Sequence, residues 1–369
     1  MLCAVAQAFE RFFCDNISQR GGVCQSYFAC ARRFSIYRAM IRHVQPKIKI
    51  ASTDVTRDLF PYLLSISYTD NLSGEADTVD LELMDKKRLF IGDWFPTLSD
   101  TLSISLTKDS GTGLVENLDL GVFEIDEVEA SSPPSTFKIK AVSVSTNSAL
   151  RQRDESKSWE NVKLSEIAGD IANAAGVTLF YKADDDPTIS RAEQQEQSRL
   201  AFLEKLCKDN FLALKVSDGQ LIIFDESELD KQSPALTLYR DSDVINFHAR
   251  ATIQDVYGKC VVSYRHGTKD EVFQGEFDSG ASGKVLKVNK KVENKAEAER
   301  LARNSLREKN KEGVKMSLTT MGNFTLAAGN VVELSGFGKF DGNFLIEKAT
   351  HTLSDGYQTQ VELRRCLEY

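Results

Sequence analysis

Apolar and polar residues alternate along much of this chain. Towards its C-terminal end three runs do so cleanly: Val331 to Leu334, Phe344 to His351 and Gln358 to Leu363. Between them lie Gly336-Phe337-Gly338, Asp341-Gly342 and Ser354-Asp355-Gly356. Period-2 runs punctuated by Asp-Gly and Gly-rich turns predict an antiparallel β-meander. The same pattern recurs from 46 to 150. Candidate strands there are Pro46 to Ile50, Leu63 to Thr69, Thr78 to Met84, Thr101 to Thr107, Val122 to Glu129 and Thr136 to Ser145. Asn71-Leu-Ser-Gly74 and Asp109-Ser-Gly111 mark turns, and Ser131-Ser-Pro-Pro-Ser135 breaks the chain between the last two strands. Short strands with regular turn signals predict a small barrel or sandwich.

From about 151 to 235 the period changes. Ser165 to Ala175 places Ile167, Ile171 and Ala174 on one helical face, and Gly176 stands where a C-terminal cap belongs. A short strand, Val177 to Tyr181, follows. A second helix is predicted over Ser198 to Asp209, with Leu200, Leu203, Leu206 and Cys207 as its apolar set. A hairpin then runs Leu212 to Val216, Asp218-Gly219, Leu221 to Phe224. This stretch reads as a compact α+β insert. From 236 to 369 the chain is again mostly β, with one helix over about 294–312. Asn294 stands at its cap with Glu297 three residues on, and Gly313 ends it.

Two segments match. Gly121-Val-Phe-Glu-Ile-Asp-Glu-Val128 and Gly342-Asn-Phe-Leu-Ile-Glu-Lys-Ala349 both read Gly-x-Phe-x-Ile-x-x-small apolar. Each follows an alternating strand and a Gly-containing loop, and each precedes a turn cluster and another alternating strand. The expected architecture is therefore mainly β: two similar β-barrel-like domains, 46–150 and 236–369, flanking a small α+β domain at 151–235. Any Gly-punctuated meander shares part of this pattern, so duplication is one of two readings of the match.

Composition narrows the function. A chain of 369 residues has room for two or three domains and a sizeable core. No run approaches the roughly 18 apolar residues of a membrane helix, so no stable membrane anchor is expected. The net charge of −8 is uneven: Met1 to Ile50 holds eight Lys/Arg against two Asp/Glu, or +6, which leaves −14 for the rest. An acidic body argues against a dedicated nucleic-acid binder, which shows a concentrated basic face. It is compatible with a surface that nucleic acid slides past. Four of the seven cysteines (Cys3, Cys14, Cys24 and Cys30) precede residue 31, with no metal-pair spacing. They read as free thiols in a reducing compartment. Residues 1–45, rich in Cys, Arg and aromatics, form an atypical N-terminal extension. Met40, just before the first clean strand, offers an alternative natural start, and an arm that docks on a partner is the other reading.

Candidate chemistry is sparse. His43, His248, His266 and His351 are isolated, without HxxxH or HExxH spacing, and His351 on a strand reads as structural or surface. Asp184-Asp185-Asp186 lacks the alternating ligands of a calcium loop. Ser279-Gly-Ala-Ser-Gly283 and Gly336-Phe-Gly338 match neither a P-loop nor a dinucleotide fingerprint. No GxSxG elbow occurs. Catalytic residues, metal ligands and cofactors are expected to be none. Trp159 is expected to anchor the insert's core. Phe344 alternates with Ile346 and reads as core, whereas Phe337 and Phe340 sit in a Gly-rich loop and are the candidate partner contacts.

The order of these parts resembles the phage late control protein D family, the tail or baseplate hub proteins of contractile-tailed phages and related injection machines. Ser158-Trp-Glu-Asn-Val-Lys-Leu-Ser-Glu-Ile-Ala168 is similar to the family's Trp-x-x-x-x-Leu-x-x-Ile-Ala stretch. Ser198-Arg-Leu-Ala-Phe-Leu-Glu-Lys-Leu206, the helix Ala296 to Arg307 and Ala328-Gly-Asn-Val-Val-Glu-Leu-Ser-Gly-Phe-Gly338 with Asp341-Gly-Asn-Phe344 complete it. The likeness covers roughly 46–369, and the first 45 residues depart from it. It implies a non-enzymatic homotrimer with two similar domains per subunit, hence a pseudo-sixfold ring between the hexameric tail tube protein and the trimeric spike protein. Other baseplate proteins would be neighbours. Phage DNA would be met only in passage through the lumen, where an acidic lining would discourage sticking. The implied location is the virion tail baseplate, assembled in the host cytoplasm. The alternatives are a cell-wall-degrading hydrolase or a carbohydrate-binding adhesin of the tail tip.

Overall fold

A computed structural model describes residues 43–109, 115–143, 150, 156–217, 219–254, 256–265, 272–292 and 294–369. Cys3, Cys14, Cys24, Cys30, Met40, His266, the turn at Gly111 and Asp218 of the expected hairpin turn lie outside the described residues.

The chain opens with β1 (His43–Ile50), β2 (Thr53–Asp54), a one-turn helix α1 (Thr56–Leu59), β3 (Leu63–Asn71), β4 (Thr78–Met84), β5 (Thr101–Asp109), β6 (Val115–Ser131) and β7 (Thr136–Val142). The insert contributes β8 (Lys157–Lys163), α2 (Leu164–Ala175), β9 (Thr178–Lys182), β10 (Thr188–Gln194), α3 (Arg199–Asp209), β11 (Ala213–Ser217), β12 (Gln220–Phe224) and α4 (Glu226–Asp230). The last part runs β13 (Leu236–Tyr239), α5 (Arg240–Asp243), β14 (Val244–Ala251), β15 (Tyr257–Arg265), β16 (Val272–Asp278), β17 (Lys284–Val288), α6 (Lys295–Asn310), β18 (Val314–Met321), β19 (Val331–Ser335), β20 (Gly342–Leu353) and β21 (Tyr357–Arg365). The fold is mainly β with an α+β insert, as the alternation predicts.

The first and last parts share one thirteen-stranded sheet, ordered β14-β18-β21-β20-β3-β4-β7-β6-β5-β1-β2, with β19 on β20 and β13 parallel to β19. Alternation decides which face is core. In β4, Val79, Leu81 and Leu83 are fully buried while Thr78, Asp80 and Glu82 are half-buried, and β7 buries Phe137, Ile139 and Ala141 in the same phase. By internal contact one compact unit comprises Pro46–Ser105 with Leu118–Tyr369, and a smaller one includes Leu106–Asn117. Within the latter, Lys108 pairs with Glu116 at 2.8 Å and the Thr107 hydroxyl donates to Asn117 Oδ1 at 2.8 Å.

The insert has its own core. Helix α2 buries Leu164, Ile167, Ala168, Ile171 and Ala172 along one stripe and ends at Gly176, whose φ of 69° suits glycine. Its N-terminus is capped from a distance: Asp186 accepts from the Ser165 amide at 3.0 Å and the Ser165 hydroxyl at 2.7 Å. Trp159 stacks on Phe202 of α3 with centroids 5.3 Å apart, and its indole N–H donates to Asp170 at 3.1 Å. It anchors this core, as expected.

Helix α6 is capped by Asn294, which accepts from the Glu297 amide at 2.9 Å. It lays Ala298, Ala302 and Leu306 on Cys260 and Val262 of β15. Its approach to β16 needs Gly275, where a Cβ would stand 2.4 Å from the Ala298 and Glu299 backbone. A buried ionic cluster ties α4, α6 and β21. Arg364 and Arg307 both donate to Asp230, and Glu226 accepts from Lys311 at 2.9 Å.

Candidate assembly interface

Five strands of the first part and five of the last have one plan. The orders β3-β4-β7-β6-β5 and β14-β18-β21-β20-β19 correspond strand for strand. Their irregularities correspond as well. The β6–β7 ladder slips between Ile125 and Glu127, and the β20–β21 ladder slips between Ile346 and Lys348. These are the same places in the two copies of Gly-x-Phe-x-Ile. The β3–β4 ladder slips between Leu63 and Ser65, and β14–β18 between Val244 and Asn246. A bulge is a specific backbone feature, so two at equivalent sites mark duplication rather than generic meanders.

The strand entries repeat too. The Ser99 amide donates to Ile125 O at 2.9 Å, and the Ile125 amide to Asp100 O at 3.0 Å. In the second copy the Gly329 amide donates to Ile346 O and the Ile346 amide to Asn330 O, both at 2.9 Å. Ser99 and Gly329 both have positive φ, 74° and 92°. The Asp85 amide meets Ser135 O at 2.9 Å where the Gly322 amide meets Tyr357 O at 2.8 Å.

The two repeats are joined through β20. Its first residues pair with β19 (Val331 opposite Leu345), and its last pair antiparallel with β3: Lys348 opposite Asn71, Thr350 opposite Thr69, Thr352 opposite Ser67. The equivalent edges are open among the described residues. Strand β14, the counterpart of β3, pairs with β18 alone. Strand β6, the counterpart of β20, leaves β5 at Ile125, and from Glu127 to Ser131 its pairing is with β7. Side chains on both edges are largely exposed.

The polar face of the joined sheet carries both signs. Asp80 pairs with Lys138 at 3.3 Å, and Lys140 with Glu127 at 2.9 Å and Glu129 at 2.5 Å. The Lys140 ammonium bonded to Glu129 holds that carboxyl below the usual carboxylate range. The two edge strands differ in the charge of their own residues. Arg250 of β14 stands opposite Lys315 of β18, whereas the β6 edge carries Glu127 and Glu129.

Phe337 is 8% exposed and belongs to the core of the second repeat, and Phe340 packs half-buried against the same core. The Phe337 ring meets Phe247 edge-on at 5.1 Å, with the Arg240 guanidinium 5.4 Å from the Phe247 centroid. Phe247 lies on β14 and is 40% exposed. An apolar loop went unread in the sequence: Ile91, Trp94, Phe95 and Leu98 are exposed between β4 and β5. Its counterpart, 322–330, has no such cluster. His351 is buried. Its Nε2 donates to Leu326 O at 3.0 Å, so Nδ1 accepts from the Tyr357 hydroxyl at 2.6 Å. Burial pushes its pKa down and keeps the ring neutral.

This geometry is the setting for the comparisons. The family described as "Phage tail baseplate hub (GPD)" matches residues 125–357, more than half of the chain. The chain belongs to that family. The match begins inside the first repeat, at the Ile125 bulge, and runs through the insert to Tyr357 of the second. The hub chain is 26% identical over 370 residues to the probable baseplate hub protein of Escherichia phage 186, covering 86% of this chain and 91% of the relative. It is 25% identical over 370 residues to that of Escherichia phage P2, covering 86% and 92%. Among solved structures, the 43 kDa tail protein of prophage MuSo2 from Shewanella oneidensis shares the fold, with a TM-score of 0.65, 13% identity, and 87% and 98% of the two chains covered. A baseplate hub is a structural part of the virion tail and is placed among other tail components.

Proposed function

We propose that three copies of this chain close into a ring of pseudo-sixfold symmetry that adapts a hexameric tail tube to a trimeric central spike, without enzymatic activity. The observation that carries this reading is the edge-to-edge joining of two equivalent five-stranded repeats by β20 and β3. Unlike edges of like units meet there, which is a heterologous contact, and such a contact generates a ring when its rotation closes. With two repeats per chain, three chains supply six units. In this reading 46–150 and 236–369 build the ring, 151–235 is the insert and 1–45 an extension. Phe337 braces Phe247 on the ring-forming edge, and Phe340 packs beside it. The exposed loop with Trp94 and Phe95 occurs once per chain, and so gives the ring three identical contacts, the symmetry of a spike.

The polar sheet face would line the lumen. Lys138 and Lys140 on it are paired with acids across the strands, which weakens their hold on passing phosphates. Tube, spike and other baseplate proteins are the partners, and assembly takes place in the host cytoplasm. Sedimentation of the purified chain, alone and with its tube protein, tests the reading. A species of three chains is expected. A monomer that persists beside the tube protein would overturn it.

A further inference from the structure

The junction inside one chain is also a template for the junction between chains. We propose that the open edge of β14 pairs antiparallel with the Glu127–Ser131 half of β6 from a second copy of this chain, with Glu129 opposite Arg250. The proposal rests on the ring reading above and specifies its interchain contact. The register follows from the ladders. Leu63 corresponds to Val244, because each precedes the bulge of its strand, so Thr69 corresponds to Arg250 and Ser67 to His248. Ile346 corresponds to Ile125, so Thr350 corresponds to Glu129 and Thr352 to Ser131. Thr350 stands opposite Thr69 within the chain. Between chains the same geometry sets Glu129 opposite Arg250.

Three further observations favour a second copy as the occupant. The edge residues themselves are oppositely charged: Arg250 on one, Glu127 and Glu129, which also bind Lys140 of β7, on the other. Opposite charges directly across a ladder stabilise it and like charges oppose it. On the core side the register sets Val128 opposite Ala251 and Ala130 opposite Ala249, small apolar pairs without a steric conflict. Finally, an open edge presents a row of backbone donors and acceptors that another strand satisfies. Each open edge here is the counterpart of one that is already satisfied within the chain.

Cysteine pairing and charge reversal in the full-length chain test the register. The double variant Glu129→Cys/Arg250→Cys, mildly oxidised, is expected to give covalent dimers and trimers on a non-reducing gel, lost on reduction and absent from the wild-type chain treated alike. The off-register pair Glu129→Cys/Thr252→Cys is expected to give at least tenfold less product. Glu129→Arg alone and Arg250→Glu alone are expected to weaken self-association about tenfold, and the two together to restore it. If the wild-type chain sediments as three copies yet the in-register pair does not cross-link and the reversals have no effect, this register is overturned while the ring stands. A chain that stays single beside its tube protein overturns both.

Discussion

Arg364 donates to Asp230 at 2.7 Å, and neither side chain has any exposure. Arg307 donates to the other carboxylate oxygen at 2.5 Å. One acid therefore holds two guanidinium groups away from water, joining the end of the insert, α6 and the last strand. Asp230→Ala removes the shared acid, leaves Arg364 only its longer contacts to Glu226 and Glu347 at 3.5 and 3.6 Å, and is expected to cost about 3–5 kcal/mol in urea unfolding. A loss under about 1 kcal/mol would show that the cluster does not clamp these elements.

Gly322 sits against an aromatic ring. A Cβ there would lie 1.7 Å from Tyr357 Cδ1, whereas one at Gly356, on the neighbouring turn, would meet nothing. Gly322→Ala should lower stability by about 2–3 kcal/mol or more, and Gly356→Ala should stay within about 0.5 kcal/mol. Thermal denaturation of the pair separates loss of a close contact from a general intolerance of side chains in these turns.

The strands were legible because one face of each is buried, which forces a period of two. The insert's helices were legible through a change of period and a glycine at the right place. The repeated Gly-x-Phe-x-Ile-x-x motif held more than it yielded: the paired x-x after Ile125 and Ile346 is where alternation slips, and there the bulges lie. The passage of β20 from β19 to β3 was not legible, since an edge pairing depends on backbone groups that every residue has. Nor was the burial of Phe337, because Gly-rich flanks look like an exposed loop whether or not a core lies beneath. The ribbon of β8 and β10 escaped because its partners are separated by a helix and another strand and have little alternation. The mixed signs of the polar sheet face were not legible either, because net charge says nothing about which face carries it.

His351 gives the fold a pH dependence. Burial lowers the pKa of the folded ring below its ordinary value near 6.5. The unfolded chain then binds the extra proton first, so this residue's contribution is full above that value and is lost as pH falls below it. Urea midpoints for the wild-type chain and His351→Gln at pH 8, 6.5 and 5 should converge as the pH falls. A gap that stays constant would sink the assignment.

Lys215 of β11 links the insert to the first repeat, 2.5 Å from Asp70 and 3.4 Å from Asp77, with a further bond to Asn71 O at 2.8 Å. Burial already raises the Asp77 carboxyl above its ordinary range against the pull of Lys215. Lys215→Met removes that pull and raises it further. A carboxyl whose folded pKa is raised loses stability as pH rises through it. The variant should fall short of wild type by about 3 kcal/mol at pH 8 and recover towards pH 5. A deficit that grows on acidification would contradict this.

Strand β20 divides one edge between β19 and β3 while β21 lines the other. A force that slides the two repeats past one another along the strands therefore meets the β20–β3 hydrogen bonds in shear, sharing the load among them instead of opening them one by one. The repeats of one chain should act as a single stiff staple under tension. In any larger assembly, the first joint to slip should be one between chains.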